Sequence, residues 1–189
     1  MKQFQSQIIL NKQITPTYHI IELTWPIAEN PEPGQFVTLK CGNSTSPLLR
    51  RPFAIAGFNT EHRLAKIIFE RRGQATKLLS GLVPGEYISV LGPLRNSFPL
   101  PKERKNLYLA AGGIGIGPIL HLTQRLTEKG YTTNLVLGFP NAGNVPEGNI
   151  LPYAKPNTLI CTDDGSIGFQ GNPVTYLQTL EEKVLSQTI

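Results

Sequence analysis

Cysteine is scarce in this sequence: Cys41 and Cys161 are the only two among 189 residues. An iron–sulfur cluster or a cysteine-bound structural zinc needs about four ligands, and a disulfide framework needs several cysteine pairs. The sequence therefore predicts no metal site in this chain. Any iron–sulfur chemistry that serves it must come from another chain.

Long apolar runs are absent as well. No stretch approaches the roughly 20 apolar residues that span a bilayer. Met1–Leu10 has neither the apolar block nor the small-residue cleavage site of a signal peptide. We therefore expect a cytoplasmic protein with no membrane partner.

Negative charge is scarce in the first half of the chain, and the formal net charge is +5. Residues 1–98 contain 11 Lys and Arg against 6 Asp and Glu, whereas residues 99–189 contain 7 of each kind. A basic half suits a polyanion such as nucleic acid, or a small ligand that carries phosphate groups, and net charge alone does not distinguish the two. The motifs described below favour the small ligand, so we expect no nucleic-acid partner.

Glycine and proline, by contrast, are abundant, with 18 and 16 residues. This composition favours short strands and turns over a helix bundle. The first half has six short apolar or alternating runs between turn residues, which predict a six-stranded antiparallel barrel. The predicted strands are Gln7–Leu10, Tyr18–Leu23, Gln35–Lys40, Pro52–Ala56, Leu64–Arg71 and Tyr87–Gly92, with one short helix at Ala75–Leu79.

The pattern changes after Pro93–Lys105, a proline-rich and charged segment that is a candidate linker. Leu107–Ala111 is continuously apolar, as expected of a strand buried on both faces. Helix and strand then alternate, which is typical of a parallel sheet. The helices are predicted at Pro118–Lys129 and Val174–Leu185, and the strands at Thr133–Leu137 and Thr158–Thr162. We therefore expect a barrel domain at residues 1–98 and a shortened Rossmann-like α/β domain at residues 99–189.

Two basic motifs in the barrel half could bind phosphate. In Arg50–Ala56, Pro52 lacks a backbone donor and belongs at a sheet edge, where Arg51 could pair with a pyrophosphate while Phe53 lies against a flat ring. The alternative is an edge strand with Phe53 in the core and Arg51 in solvent. In Arg71–Thr76, a glycine turn opens a short helix whose N-terminus could seat a phosphate. The alternative there is an ordinary helix cap.

Two motifs in the second half follow predicted strands. Ala111–Pro118 is dense in glycine, which lets the backbone approach a dinucleotide pyrophosphate. A tight turn without a ligand is the alternative. Cys161–Gly171 carries paired aspartates at the carboxyl end of a strand, where ligands commonly bind, but it lacks the further carboxylates or histidines of a metal cage. His19, His62 and His121 belong to no motif, so we expect them to be structural or surface residues and expect no catalytic side chain.

In this order the motifs resemble those of the ferredoxin reductase superfamily of flavoproteins. Leu49–Phe53, Gly92–Phe98 and Thr162–Ser166 together look most like the electron-transfer subunits of NAD-dependent dihydroorotate dehydrogenase. The resemblance implies FAD as cofactor and NAD(H) as redox substrate. It also implies a hetero-oligomer with a dihydroorotate dehydrogenase catalytic subunit, to which electrons pass in pyrimidine biosynthesis.

The resemblance further implies which residues form the cofactor sites. Arg51 would neutralise the pyrophosphate of FAD, Phe53 would stack on the isoalloxazine, and the helix at Ala75 and Thr76 would hold the phosphates. The implied FAD site comprises Arg51, Pro52, Phe53, Ala54, Ile68, Phe69, Glu70, Gly73, Ala75 and Thr76, and the implied NAD site comprises Gly112, Gly113, Gly115 and Gly117.

Three features depart from the family pattern. Ala54 stands where the family usually has serine, whose hydroxyl can hydrogen-bond near flavin N5, so we expect a different flavin potential and rate. Pro140–Pro156 is a loop where a helix is expected, and no acidic residue follows the glycine motif by about 20 positions to hold a ribose. The family continues to cysteines that hold a two-iron, two-sulfur centre, whereas this sequence stops at Ile189, as a truncated form or a natural short relative.

Two other functions remain compatible with the sequence. A stand-alone NAD(P)H–flavin reductase would use the same cofactors without a protein partner. A non-catalytic barrel would bind a polyanion or a protein partner and keep a degenerate nucleotide domain as a scaffold. A colourless purified protein with salt-sensitive nucleic-acid binding would favour the non-catalytic barrel.

Overall fold

The computed structural model of the chain describes residues 2–42, 46–101, 107–146 and 157–186, with side chains to residue 180. The predicted linker Pro93–Lys105 and the predicted loop Pro140–Pro156 lie partly outside the described residues. No helix among the described residues is long and apolar enough to cross a membrane.

The first half folds into a closed barrel of six antiparallel strands in the order β1-β2-β5-β4-β3-β6, which confirms the predicted architecture. The strands are β1 (Lys2–Gln13), β2 (Tyr18–Thr24), β3 (Phe36–Leu39), β4 (Arg51–Asn59), β5 (Leu64–Glu70) and β6 (Tyr87–Leu94). Alternate residues point inward, as the period of a strand requires. The core they form includes Ile8, Ile21, Leu23, Trp25, Val37, Ile55, Ile67, Phe69 and Val90.

Strand β1 is much longer than the predicted Gln7–Leu10, because its two ends pair with different neighbours. Its first part pairs with β6 and its last part with β2, with an irregularity between Ile8 and Leu10. Exposed glutamines such as Gln3 and Gln5 fill the outward positions of its first part. Because these side chains are polar, the first part of β1 does not show the apolar run by which a strand is predicted from sequence.

A short helix, α1 (Gln74–Ser80), closes one end of the barrel. Ala75 and Leu79 are buried in the barrel core. The Asn11 side-chain amide of β1 donates hydrogen bonds to the carbonyls of Leu79 (2.9 Å) and Leu82 (2.8 Å). Because these carbonyls end the helix, the amide fixes α1 to the barrel wall.

The second half is a four-stranded parallel sheet in the order β10-β9-β8-β7, as the alternation of strand and helix predicts. Strand β10 has only two residues and was not predicted. The elements are β7 (Leu107–Gly112), α2 (Ile116–Glu128), β8 (Thr133–Phe139), β9 (Thr158–Thr162), β10 (Phe169–Gln170) and α3 (Pro173–Ser186), with a short 3₁₀ turn at Gly113–Gly115.

The prediction that the first strand of this sheet is buried on both faces is wrong. Ala111 of β7 is 8% exposed and belongs to a core with α2, whereas Tyr108 on the other face is 54% exposed. Strand β7 lies at the edge of the sheet among the described strands. An apolar run shows that a strand can be buried, but the number of covering layers decides whether it is.

The sheet half packs against the outer wall of the barrel. Tyr18, Ile20, Ala56 and Ile68 from β2, β4 and β5 share one buried core with Ala111, Ile116, Leu120 and Leu137. The Gln124 side chain of α2 donates to the Phe58 carbonyl of β4 (2.7 Å) and accepts from the Phe58 amide (3.2 Å). This peptide-like pair of hydrogen bonds holds α2 against β4.

Candidate functional site

The candidate site lies where β4 and β5 stop pairing with each other. Strand β4 pairs with β5 from Ile55 onward, with an irregularity between Ile55 and Gly57. Among the described strands, Arg51–Ala54 pair only with β3, and Ile68–Glu70 pair only with β2. The two strands therefore leave facing backbone edges without a strand partner. All seven residues were predicted to contact FAD.

Pro52 explains part of this opening. It has no N–H to contribute to a sheet ladder, and it lies on the stretch of β4 that has β3 as its one strand neighbour. The predicted edge position is confirmed. A ligand can approach the backbone there without displacing a strand.

A cavity of about 340 Å³ lies beside the opening, within the range of ligand pockets in proteins. It brings together the two basic motifs, which are separate in sequence. The cavity is lined by Arg51, Pro52, Phe53, Gly73, Ala75 and Thr76 of the predicted FAD site, and by Pro47, Arg72 and Gln74. Arg72 and Gln74 belong to the predicted phosphate motif but not to the implied FAD site, and Pro47 belongs to neither. The sequence signal that could have placed Arg72 at the site is its basic side chain directly before the glycine of the turn.

The aromatic rings near the cavity have different surroundings. Phe69 is 1% exposed and belongs to the barrel core. Phe53 is half-buried and meets the ring of Phe69 edge-on, with centroids 5.9 Å apart and planes at 72°. Phe53 is therefore positioned by a fixed aromatic neighbour while part of its ring still faces the cavity. Phe69 can contribute only its backbone to a ligand.

Arg50 and Arg51 are adjacent but separate in role. The Arg50 guanidinium donates to the Ser89 carbonyl (2.9 Å) and hydroxyl (2.8 Å) and weakly to the Thr38 carbonyl (3.4 Å). Arg50 thus ties the start of β4 to β3 and β6. Arg51 donates to the Leu49 carbonyl (2.8 Å), and no carboxylate among the described residues pairs with it. The positive charge beside the cavity is therefore available for a ligand.

The start of α1 behaves as a helix cap. The Thr76 hydroxyl accepts from the backbone amides of Arg72 (2.9 Å) and Gly73 (3.1 Å). Thr76 is therefore engaged within its own turn, and the cap interpretation is confirmed. Gly73 has space around it, since a Cβ atom there would meet nothing within 4 Å. A phosphate role for this turn stays a prediction.

The glycine motif lies directly against the barrel. Gly113 has a φ of +53°, which L side chains rarely adopt. A Cβ atom on Gly113 would lie 3.3 Å from the Tyr18 hydroxyl, and one on Gly117 would lie 3.5 Å from the Ala56 Cβ. Positions Gly112 and Gly115 open into space with no neighbour within 4 Å. One side of the motif thus packs on the barrel and the other is open to a ligand.

The loop after β9 forms a turn held by its own side chains. The Thr162 hydroxyl donates to the Ile167 carbonyl (2.8 Å), and the Asp164 carboxylate accepts from the Ser166 amide (2.9 Å). The hydrogen bonds from Ser166 hold the pKa of Asp164 below its usual range. The backbone amide of Asp163 donates to the Phe139 carbonyl (3.1 Å), which joins the ends of β9 and β8.

Two of the three histidines are packed in the fold and one is exposed, and the absence of a catalytic role for them stays a prediction. His19 stacks on Phe69 with centroids 5.4 Å apart, His121 is 4% exposed, and His62 is exposed. Across the residues that the structure describes, no three His, Cys, Asp or Glu side chains group closely enough to hold a metal ion. Burial raises the pKa of the Cys41 thiol to about 11, which makes it an inert core residue.

Three bacterial relatives, all electron-transfer subunits of dihydroorotate dehydrogenase B (NAD(+)), are similar to the chain. The Bacillus pumilus subunit is 37% identical over 176 residues, covering 90% of the chain and 67% of the relative. The Lysinibacillus sphaericus subunit is 35% identical over 186 residues, covering 95% and 70%. The Bacillus velezensis subunit is 41% identical over 143 residues, covering 74% and 55%. The chain thus spans 55% to 70% of the length of these relatives. No family model matches the chain.

Solved structures give the same fold at lower identity. The NADH-dependent reduced ferredoxin–NADP oxidoreductase superposes with a TM-score of 0.79 at 24% identity, covering 93% of the chain and 62% of that structure. The Neisseria gonorrhoeae ferredoxin NADP+ reductase, solved with bound FAD and NADP, has a TM-score of 0.79 at 16% identity, covering 100% and 81%. At these identities the likeness shows the fold alone, and it confirms the ferredoxin reductase-like fold class.

Proposed function

Because the chain belongs to the family of electron-transfer subunits of NAD-dependent dihydroorotate dehydrogenase B, we propose that it binds FAD and transfers electrons between NAD(H) and a dihydroorotate dehydrogenase catalytic subunit. The chain covers only part of the length of its relatives, so its cofactors, redox substrate and partner are all part of this proposal. The structure of this chain supports the FAD site and the NAD(H) site separately, and the names of the relatives support the partner.

The observation that carries the proposal is the opening between β4 and β5. Arg51–Phe53 and the turn at Gly73 line one cavity beside this opening, and Ala54 and Ile68–Glu70 complete the strand edges that do not pair with each other. The unpaired strand edges offer backbone donors and acceptors, which suit the polar rim of a flat heterocycle. Phe53 offers an aromatic surface at the same place. These features fit a flavin ring and need no rearrangement of the barrel.

The charges around the cavity suit the diphosphate of FAD. Arg51 has no carboxylate partner among the described residues, and its guanidinium can donate two parallel hydrogen bonds to a pyrophosphate. Arg72 lies on the other side of the cavity, where it pairs with Glu70 at 3.4 Å and remains mostly exposed. Arg51 is therefore the better-placed partner for the pyrophosphate. The excess of basic residues in the barrel half agrees with an anionic ligand.

The glycine motif supports a second, dinucleotide site next to the first. A Cβ on Gly117 would lie 3.9 Å from the Cβ of Ile68, which belongs to the proposed FAD site. Gly112 and Gly115 leave room for a close backbone approach. A nicotinamide bound from this loop would therefore start within reach of a ring held between β4 and β5.

When bound, FAD would supply the redox chemistry, exchanging a hydride with NAD(H) and electrons with the catalytic subunit. The overall reaction balances: dihydroorotate loses two electrons and two protons to become orotate, while NAD+ takes a hydride and one proton is released. We assign no general acid or base to this chain. Its residues bind and orient the cofactors.

A reconstitution experiment tests the proposal. The chain is loaded with FAD and mixed with a purified dihydroorotate dehydrogenase catalytic subunit, dihydroorotate and NAD+, and NADH formation is followed. We expect NADH only when both proteins are present, with the catalytic subunit alone as control. If the loaded chain instead oxidises NADH with free flavin as acceptor and never exchanges electrons with the catalytic subunit, it is a stand-alone reductase.

A further inference from the structure

The Tyr18 side chain lies at the seam between the barrel and the sheet half. Tyr18 is 6% exposed and packs in the core shared by Ile68 of β5 and Ile116 of α2. Its backbone is fixed by the tight β1–β2 turn, where the Tyr18 carbonyl accepts from the Ile14 amide at 2.9 Å and the Tyr18 amide donates to the Thr15 hydroxyl at 2.9 Å. The position of the Tyr18 ring is therefore fixed both by the packing of the side chain and by the hydrogen bonds of its backbone.

The Tyr18 hydroxyl, at the tip of this ring, lies next to the glycine motif. It lies 3.3 Å from the position of a Cβ on Gly113, and among the residues that the structure describes it has no hydrogen-bond partner. The Tyr18 hydroxyl is therefore a donor at Gly113, and Gly112 and Gly115 of the same motif are open.

The structure assigns to Tyr18 a binding role: its hydroxyl donates a hydrogen bond to a pyrophosphate oxygen of the pyridine dinucleotide seated on the glycine motif. This assignment rests on the proposed function, since it requires a dinucleotide at Gly112–Gly117. It adds a residue from the barrel to a site otherwise built from the sheet half.

The chemistry of the group fits a donor to an anion. Burial, with the carboxylate of Glu70 nearby, raises the pKa of the Tyr18 phenol above its ordinary value. The hydroxyl therefore stays protonated at neutral pH and remains a donor. A pyrophosphate oxygen is a strong acceptor for such a group. The open glycines let the backbone share the same phosphate.

The assignment also links dinucleotide binding to the barrel. Tyr18 lies on β2, which pairs with β5, and β5 carries part of the proposed FAD site. Tyr18 of β2 is opposite Glu70 of β5 in the sheet register. A dinucleotide held by Tyr18 is therefore placed relative to β5 by the barrel itself. The position would not depend on the docking of the sheet half alone.

The substitution Tyr18→Phe tests the assignment, because it removes the hydroxyl and keeps the buried ring. NAD+ and ADP-ribose affinities are measured by titration calorimetry on the wild-type chain and the variant. We expect both affinities to fall about tenfold, the loss expected for one hydrogen bond to a charged group. FAD content and the thermal midpoint are expected to match the wild type. Tyr87→Phe, at an exposed barrel position, is the matched control and should change neither affinity.

Three results would overturn the assignment. Unchanged NAD+ affinity in Tyr18→Phe, with NAD+ binding intact in the wild type, would remove the role of Tyr18 and leave the proposed function standing. A loss for NAD+ with none for ADP-ribose would place the hydroxyl at the nicotinamide end, away from the pyrophosphate. A wild-type chain that binds neither ligand would overturn both the assignment and the proposed NAD(H) site.

Discussion

At the scale of single residues, the two adjacent arginines show how one motif can combine support and binding. Arg50 is held by three acceptor atoms on β3 and β6. Arg51 donates, within the described part of the chain, only to the Leu49 and Arg50 carbonyls, and it borders the cavity. Sequence alone assigned the phosphate to Arg51 through a resemblance. The contacts of Arg50 explain why it is unavailable for that role.

Replacing each arginine separates the two functions. Arg51→Ala is expected to reduce FAD retention on a desalting column at least tenfold, because it removes a charge-assisted partner of the pyrophosphate, while stability changes little. Arg50→Ala is expected to lower the free energy of unfolding by about 1–3 kcal/mol, since it leaves the Ser89 hydroxyl and the start of β4 without their partner. Lys12→Ala, at an exposed barrel position, is the charge-matched control and should change neither property. Equal FAD loss in Arg51→Ala and Lys12→Ala would contradict the role of Arg51.

At the same scale, the site shows which residue roles the sequence could not reveal. Thr76 is a plausible phosphate donor by type, but its hydroxyl is engaged in the α1 cap. Tyr18 in an apolar strand is typical of a core residue, and only the fold brings its hydroxyl to Gly113. In both cases the direction of one oxygen atom decides the role. Residue spacing carries no information about that direction.

At the scale of elements, the docking of α2 on β4 connects the two proposed cofactor sites. Gly117 permits the close approach to Ala56, and Gln124 bonds to the backbone of Phe58. His121 lies between them along α2 and is buried. Strand β4 carries Arg51–Ala54 at its other end. The same strand therefore contacts the helix of the glycine motif and borders the proposed FAD site.

This docking predicts a pH-dependent stability. Burial lowers the pKa of His121 to about 4, and the positive charge of Arg125 acts in the same direction. The unfolded chain, in which histidine titrates near pH 6.5, binds more protons than the folded chain between about pH 4 and 6.5. The free energy of unfolding should therefore fall as pH decreases through that window, with a contribution from His121 of about 3 kcal/mol.

Urea denaturation at neutral pH and near pH 4.5 measures this effect. His121→Gln, which cannot take up a proton, should lose less stability over the same pH change than the wild type. His62→Gln, at an exposed turn, should behave as the wild type does. A pH dependence that is identical in His121→Gln and the wild type would show that another group causes it.

Most elements follow from local pattern, and the exceptions have physical causes. The helix at α2 and the strand at β9 agree closely with prediction because their apolar spacing and glycine stops are local signals. Strand β10 was missed because it has two residues and exists only through its pairing with β9. The prediction that β7 is buried on both faces was wrong, because burial depends on the layers that cover a strand. Pairing and layering are tertiary properties.

At the scale of the whole molecule, the fold brings separate motifs together at two neighbouring proposed sites. The basic excess of residues 1–98 lies in the half that contains the cavity. The glycine motif lies on the second half but packs directly on β2, β4 and β5 through the shared core. The sequence predicted each motif and its order. The divergence of β4 from β5, which creates the cavity, depends on how six strands close into a barrel.

The central claim is that this chain binds FAD and that NADH reduces it, and an absorbance spectrum tests both parts together. The purified chain is incubated with FAD, desalted, and recorded without oxygen before and after NADH is added. We predict flavin absorbance at equimolar FAD, released on denaturation, and bleaching of that absorbance by NADH. A chain that stays colourless and releases no FAD would contradict the account, and a chain that holds FAD but is not bleached by NADH would contradict its NAD(H) site.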